Sequence, residues 1–188
     1  LKEGVCLYCL IATNSQRWYN RRPLVHIGLF DGLRAVSEAM KQIKLGPPVL
    51  DYSAETCAQC SQVTKIRWPR AKQLGPVESC LEESWLRDLE KNAPKDSVIL
   101  LSGGPPCVGL SCLAILVEER MGMERGIDSD RAKGVHLFFE VWQKLEKLKK
   151  ERCPTWTIVP LMENVSSMAP EDKEAITRKF GIEPRTLD

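Results

Sequence analysis

Val98-Ile99-Leu100-Leu101-Ser102-Gly103-Gly104-Pro105-Pro106-Cys107 decides the fold. Its first four residues have the length and apolar, β-branched content of a central strand buried on both faces. Gly-Gly-Pro-Pro cannot continue regular structure, so the chain leaves the strand and carries a thiol out at its end. Asp96-Ser97 opens the run. A strand of this kind belongs in a parallel sheet covered by helices.

The flanking sequence alternates accordingly. Pro23 to Phe30 reads as a buried strand running into the Asp31-Gly32 turn. Leu33, Val36, Met40 and Ile43 recur at helical spacing and predict a helix over Leu33–Lys44, stopped by Gly46-Pro47-Pro48. Val49 to Tyr52 reads as a second short strand, and residues 53–80 as less regular. Leu81, Trp85, Leu86 and Leu89 predict a helix over Glu82–Lys91. Glu118 to Gly134 lacks an apolar period and reads as a mobile surface loop. Leu137–Lys150 carries one apolar stripe, with Glu140/Lys144 and Glu146/Lys150 spaced as ion pairs, and Pro154 ends it. Trp156–Leu161 reads as another central strand, leading to Glu163-Asn164-Val165. The fold class expected is α/β: a doubly wound, mostly parallel, Rossmann-like sheet with helices on both faces.

Composition narrows the function classes. The chain has 188 residues, 43% hydrophobic, with 27 Lys+Arg against 25 Asp+Glu and a net charge of +2. That suits one domain with a real core, and excludes a disordered chain and an overall basic field for nucleic acid. No apolar run approaches the roughly 20 residues of a membrane-spanning helix, so no membrane partner is expected. The sequence begins at Leu1 without a signal-peptide pattern, and its eight cysteines are unevenly placed, which favours a reducing intracellular compartment.

Ligands of open parallel sheets bind beyond the carboxyl ends of the strands. Three predicted strands end in unusual residues: Phe30-Asp31-Gly32, Gly104-Pro105-Pro106-Cys107 and Glu163-Asn164-Val165. Their convergence on one rim would bring a thiol and a carboxyl beside a small-molecule site.

Leu101-Ser-Gly-Gly-Pro-Pro-Cys-Val-Gly-Leu-Ser111 resembles the Pro-Cys loop of the DNA cytosine carbon-5 methyltransferases, and Met162-Glu-Asn-Val165 their Glu-Asn-Val motif. Leu29-Phe-Asp-Gly32 resembles the first, cofactor-binding motif, and Leu137-Phe-Phe-Glu140 the intervening helix. The phrasing, with Ala169-Pro-Glu-Asp-Lys173 after Glu-Asn-Val, is closest to the animal de novo DNA methyltransferases, over roughly residues 24–188. The resemblance implies the methyltransferase variant of the Rossmann-like fold, S-adenosylmethionine as cofactor, DNA with a flipped cytosine as partner, a regulatory or homologous methyltransferase subunit as a further partner, and a nuclear location.

It also implies roles. Cytosine carbon 5 is a poor nucleophile, so Cys107 would add to carbon 6, and Glu163, held partly neutral by burial, would meet ring nitrogen 3. Asn164 and Pro106 would hold the loop. Phe30 would stack near the adenine, with Asp31, Gly32 and Leu33 along the methionine part. Glu55, 24 positions after Asp31, would grip the ribose. Leu137 would line the pocket, and Ser111 would touch the DNA backbone beside the displaced nucleotide. Val108 stands where the family often has Gln or Asn, Arg34 where it keeps a small residue, and Gly75-Pro76-Val77 where an acidic residue follows the third strand. By this comparison residues 1–22 form an N-terminal extension. Residues 23–188 form a partial catalytic domain, reaching Asp188 without the target-recognition region and C-terminal motifs.

Plainer readings stand beside these. Asp31 would cap the following helix, His26 and His136 would be core or surface histidines, and Arg17-Trp18-Tyr19-Asn20-Arg21-Arg22 a solvated lead-in. Cys6/Cys9 and Cys57/Cys60 form two Cys-x-x-Cys pairs, whose long separation argues against a compact zinc ribbon. The alternatives to a DNA methyltransferase are an inactive regulatory homologue, an RNA cytosine carbon-5 methyltransferase, and a zinc-organised binding module.

Overall fold

β1 (Leu24–Leu29) is buried at every residue, and it lies at the centre of the sheet. The computed structural model describes residues 22–111, 122, 124–181 and 183–186. After β1 come α1 (Ala35–Gln42), β2 (Leu50–Ala54), α2 (Ala58–Arg67), β3 (Lys72–Gly75), a 3₁₀ turn (Val77–Leu81) and α3 (Glu83–Asn92). Then follow β4 (Val98–Gly103), a second 3₁₀ turn (Asp130–Ala132), α4 (Lys133–Glu151), β5 (Thr157–Met162) and α5 (Pro170–Phe180). The strand order is β3-β2-β1-β4-β5, with every pairing parallel. This is the doubly wound α/β fold expected.

The alternation along β1 feeds two cores. Val25, Ile27 and Leu29 pack with Trp85, Leu86 and Leu89 of α3 and with Phe138, Val141 and Leu145 of α4. Leu24, Val98, Leu100 and Val159 face the other way, onto Met40 and Val36 of α1. α5 is held to α4 by aromatic contacts, Trp142 to Phe180 at 5.4 Å and Phe139 to Phe180 at 5.1 Å between ring centroids.

Several elements differ from the sequence reading. α1 is shorter than Leu33–Lys44, because Arg34 before it and Lys44 after it take left-handed backbone angles (φ 63° and 57°). Leu33 and Ile43 therefore face solvent at 63% and 42% exposure. Residues 53–80, expected to be less regular, contain the end of β2, all of α2 and β3, and most of the first 3₁₀ turn. The described part of the expected mobile loop is packed: Ile127, Ser129 and Ala132 are buried, and the buried Asp172 carboxylate accepts from Ile127 N at 2.7 Å. On α4 the charges pair differently, Lys144 donating to the Leu81 carbonyl and Glu146 meeting Lys149. Arg22 is no solvated lead-in, since its guanidinium donates to the carbonyls of Asp96 and Thr155 and to Thr157 Oγ1 below the strand starts. Residues 17–21 of that segment lie outside the described residues. Among the described residues no helix is long and apolar enough to cross a membrane.

β5 contains Pro160, opposite Leu101. Thr157 N donates to Ser97 O and Glu163 N to Gly103 O, so odd-numbered residues of β5 point their N–H groups at β4 and Pro160 faces away. A residue without an N–H is tolerated on that side.

A polar layer interrupts the α1 side of the sheet. His26 joins Asp51 Oδ1 at 3.0 Å and Ser102 Oγ at 2.8 Å. Arg34, fully buried, reaches Asp51 at 2.5 Å and Asp31 at 3.1 Å. Asp31 does not cap α1; it folds back over Gly28, where any Cβ would collide with its carboxyl group. Burial pushes the Asp31 carboxyl up, against the pull of Arg34 and His26. Burial opposes charge on Asp51 too, yet hydrogen bonds from His26 and Arg34 hold it below its ordinary range. Asp51→Asn is therefore expected to lower stability by about 3 kcal/mol, and Asp31→Asn by less. The Asp51 contribution is present above its ordinary value of 3.8 and lost as pH falls through the lower folded value. Denaturant melts across pH should show this acid limb in the wild type and not in Asp51→Asn.

Candidate functional site

All five strands stop at one level, Gly75 of β3 lying beside Ala54. Leu29 is in register with Ala54 of β2 and Gly103 of β4, and Gly103 with Met162 of β5. The residues stepping off this edge are Phe30, Glu55, Gly104 and Glu163, so the three strand ends singled out in the sequence share one rim. The sheet order reverses between β1 and β4, the position where doubly wound sheets open a ligand crevice.

A cavity of about 220 Å³ lies there, lined by Phe30, Glu55, Val77, Pro106 and Leu137, with Glu78, Arg131 and Lys133 among its remaining walls. Phe30 holds a left-handed backbone angle, φ 51°. Such a conformation costs a bulky residue about 1–2 kcal/mol and persists only where its surroundings impose it. Gly134, at the start of α4, packs closely on this corner: a Cβ there would stand 3.0 Å from Pro106, 3.1 Å from Pro105 and 3.3 Å from the tip of the Phe30 ring. α4 thus presses the Pro-Cys loop and the aromatic wall together.

Glu55 is held by two backbone donors, Gly32 N at 2.8 Å on Oε2 and Cys57 N at 2.7 Å on Oε1. Each carboxylate oxygen keeps a further lone pair for a hydroxyl donor. Gly32 carries φ 49°, which lets the β1 turn offer its N–H to β2's carboxylate. The Asp31 side chain, in contrast, is committed to Arg34 beneath the turn, and exposed Leu33 does not line the cavity. Arg34 does not crowd the cavity either, since it turns into the polar layer.

The Pro-Cys and Glu-Asn-Val segments meet. Asn164 Nδ2 donates to Pro105 O at 3.3 Å, and Asn164 Oδ1 accepts from Val165 N at 2.8 Å. Glu163 Oε2 lies over Gly104, 3.1 Å from where a Cβ would stand. Glu163 is exposed, not buried as expected, because it sits one residue beyond β5, which has one neighbouring strand among the described residues. Cys107 is half-buried, and its carbonyl accepts from Leu110 N and Ser111 N, both at 2.9 Å, closing a turn. Leu110 anchors that turn in a core with Ile127, Ala132 and Phe139. Val108 is 53% exposed, and half-buried Ser111 is the last described residue of the loop.

The sequence reading missed Glu78, Arg131, Lys133 and Gly134. Glu78 follows β3 by three positions and lines the cavity. A hydrogen bond from its own backbone N–H, then Lys133 at 3.1 Å, hold its carboxyl below the ordinary range. The Pro76 that opens its 3₁₀ turn was the available signal. Cys6 and Cys9 lie outside the described residues, and among the described residues no cluster of three or more His, Cys, Asp or Glu is arranged for a metal. No family model matches the chain.

Removing the Asn164 amide should free the Pro-Cys loop. Asn164→Ala is expected to cost about 1 kcal/mol and to speed hydrogen exchange at the Leu110 and Ser111 amides severalfold, with β1 unchanged; equal protection in both proteins would show that this bond does not hold the loop.

Proposed function

We propose that the chain is the catalytic core of a DNA cytosine carbon-5 methyltransferase of the de novo type, with S-adenosylmethionine as methyl donor and Cys107 as nucleophile. The observation that carries this reading is the junction of Asn164 with Pro105 and of Glu163 with Gly104. It brings a thiol-bearing loop and a carboxyl-bearing turn, far apart in the chain, to one rim beside a cavity.

The cavity residues fit that cofactor class. Phe30, Val77 and Leu137 offer apolar walls for an adenine ring, and Glu55 offers acceptors for two ribose hydroxyls. Glu78 is the acceptor for the adenine amino group. At about 220 Å³ the cavity is smaller than the ~300–1,000 Å³ of a pocket enclosing a whole ligand. It takes the adenosine part, leaving the methionine part along the Phe30–Gly32 turn. When bound, the cofactor supplies an electrophilic methyl group.

The chain's own residues do the rest. The Cys107 thiolate adds to carbon 6 of a cytosine turned out of the duplex, which makes carbon 5 an enamine carbon. Glu163, exposed before substrate arrives, is covered by the incoming base and supports the charge that builds at ring nitrogen 3. Asn164 keeps the Pro105 carbonyl, and so the loop, in place. Arg131 and Lys133 at the cavity, and Ser111 in the turn after Cys107, are the groups available to the nucleic-acid backbone.

Incubation with S-adenosylmethionine and DNA carrying 5-fluorocytosine is expected to trap a covalent complex that Cys107→Ser abolishes. Glu163→Gln should slow trapping by about 10²–10⁴-fold while leaving cofactor binding unchanged. Cofactor binding without any adduct would identify an inactive regulatory homologue instead.

A further inference from the structure

α2 opens on Cys57-Ala58-Gln59-Cys60, one turn beyond β2 and outside the chemistry assigned to Cys107. Cys57 is the residue that caps α2, with extended backbone (φ −69°, ψ 114°), and its sulfur accepts from Cys60 N at 3.5 Å. Both thiols are free and half-buried. The Cys57 and Cys60 thiols are also hydrogen-bonded to each other, so the two sulfurs already lie side by side. The two sulfurs differ in kind. The Cys60 backbone N–H, then its thiol, draw the Cys57 thiol below its ordinary range, whereas its hydrogen bond to Cys57 raises Cys60. Burial, in contrast, pushes Cys80 up to about 12 and also raises Cys153. A thiolate-prone cap paired with a protonated neighbour three residues on is the arrangement that disulfide exchange needs.

We propose that Cys57 and Cys60 form a redox-active dithiol that exchanges with low-molecular-weight disulfides, Cys57 attacking and Cys60 resolving. The Cys57 thiolate attacks one sulfur of the small disulfide, forming a mixed disulfide and expelling the other half as a thiolate. Cys60 then gives up its proton, and its sulfur attacks Cys57 Sγ and releases the second half. The protein has lost two electrons and two protons, and the small disulfide has become two thiols. Cys57 N also donates to Glu55 Oε1, so the disulfide closes beside the cavity wall. The proposal stands apart from the methyl-transfer reading, because its readout is the sulfur chemistry itself.

The test uses the full reduced chain and oxidised glutathione. Trypsin releases the segment Leu45–Lys65, which contains Cys57 and Cys60 and no other cysteine. In wild-type protein this peptide is expected to lose two hydrogens by mass and to regain them with a thiol reductant. Cys60→Ser should accumulate glutathione on Cys57, and Cys57→Ser should react at Cys60 about tenfold more slowly. Retention of both thiols under excess oxidant, equal rates in the two variants, or thiols unreactive until a chelator strips a bound metal would each overturn the proposal.

Discussion

The backbone ladder that locks β1 between β2 and β4 governs everything else in this chain. Parallel strands cannot be joined by tight turns, so each must return through a helix, and their ends are set by register and not by loop length. Here register brings Leu29, Ala54, Gly103 and Met162 to one level. A slip of one residue in any pair would exchange its two faces and carry one of Phe30, Glu55, Gly104 or Glu163 off the rim. The site is thus a property of the sheet before it is a property of any side chain.

β1 and β4 were legible because an unbroken apolar run bounded by turn residues has few other readings, and α4 because its stripe repeats over five turns. α2 was not. Of its apolar residues Ile66 is 81% exposed, so the helix rests on few core contacts and shows little period. β3, Lys72-Gln73-Leu74-Gly75, is an outer strand with no β-branched residue, and its pairing with β2 shifts register near Ser53. Only the neighbouring strand supplies what its own sequence withholds. In the site, Phe30, Glu55 and Pro106 beyond the strand ends and Leu137 on α4 were named from motif resemblance and spacing, and all four line the cavity. Arg131, Lys133 and Gly134 were not, because a segment without apolar period gives no sign that it docks on the rim.

Arg34 shows how far tertiary context overrides residue type. Arg34 stands where the sequence reading noted a small residue in the resembled motif, and its guanidinium is fully buried, since Asp31 and Asp51 approach it from two sides. Together with His26 and Ser102 they form a polar layer between β1, β2, β4 and α1. A buried charge layer of this kind adds little net stability, but is costly to break. It ties the turn after β1 to the middle of β2, and thereby fixes the backbone from which Gly32 reaches Glu55.

Pro160 bears on how the protein behaves in company. An outer strand presents a row of unused backbone groups that another chain can extend into a shared sheet. In β5 that row would be made by Ile158, residue 160 and Met162, and its middle donor is missing. Among the described residues β4 is the one neighbour of β5, and any strand added along its other side would meet a ladder broken at residue 160. Pro160 thus stands where the described sheet loses no bond of its own, and it withholds a donor from whatever strand would lie on that side.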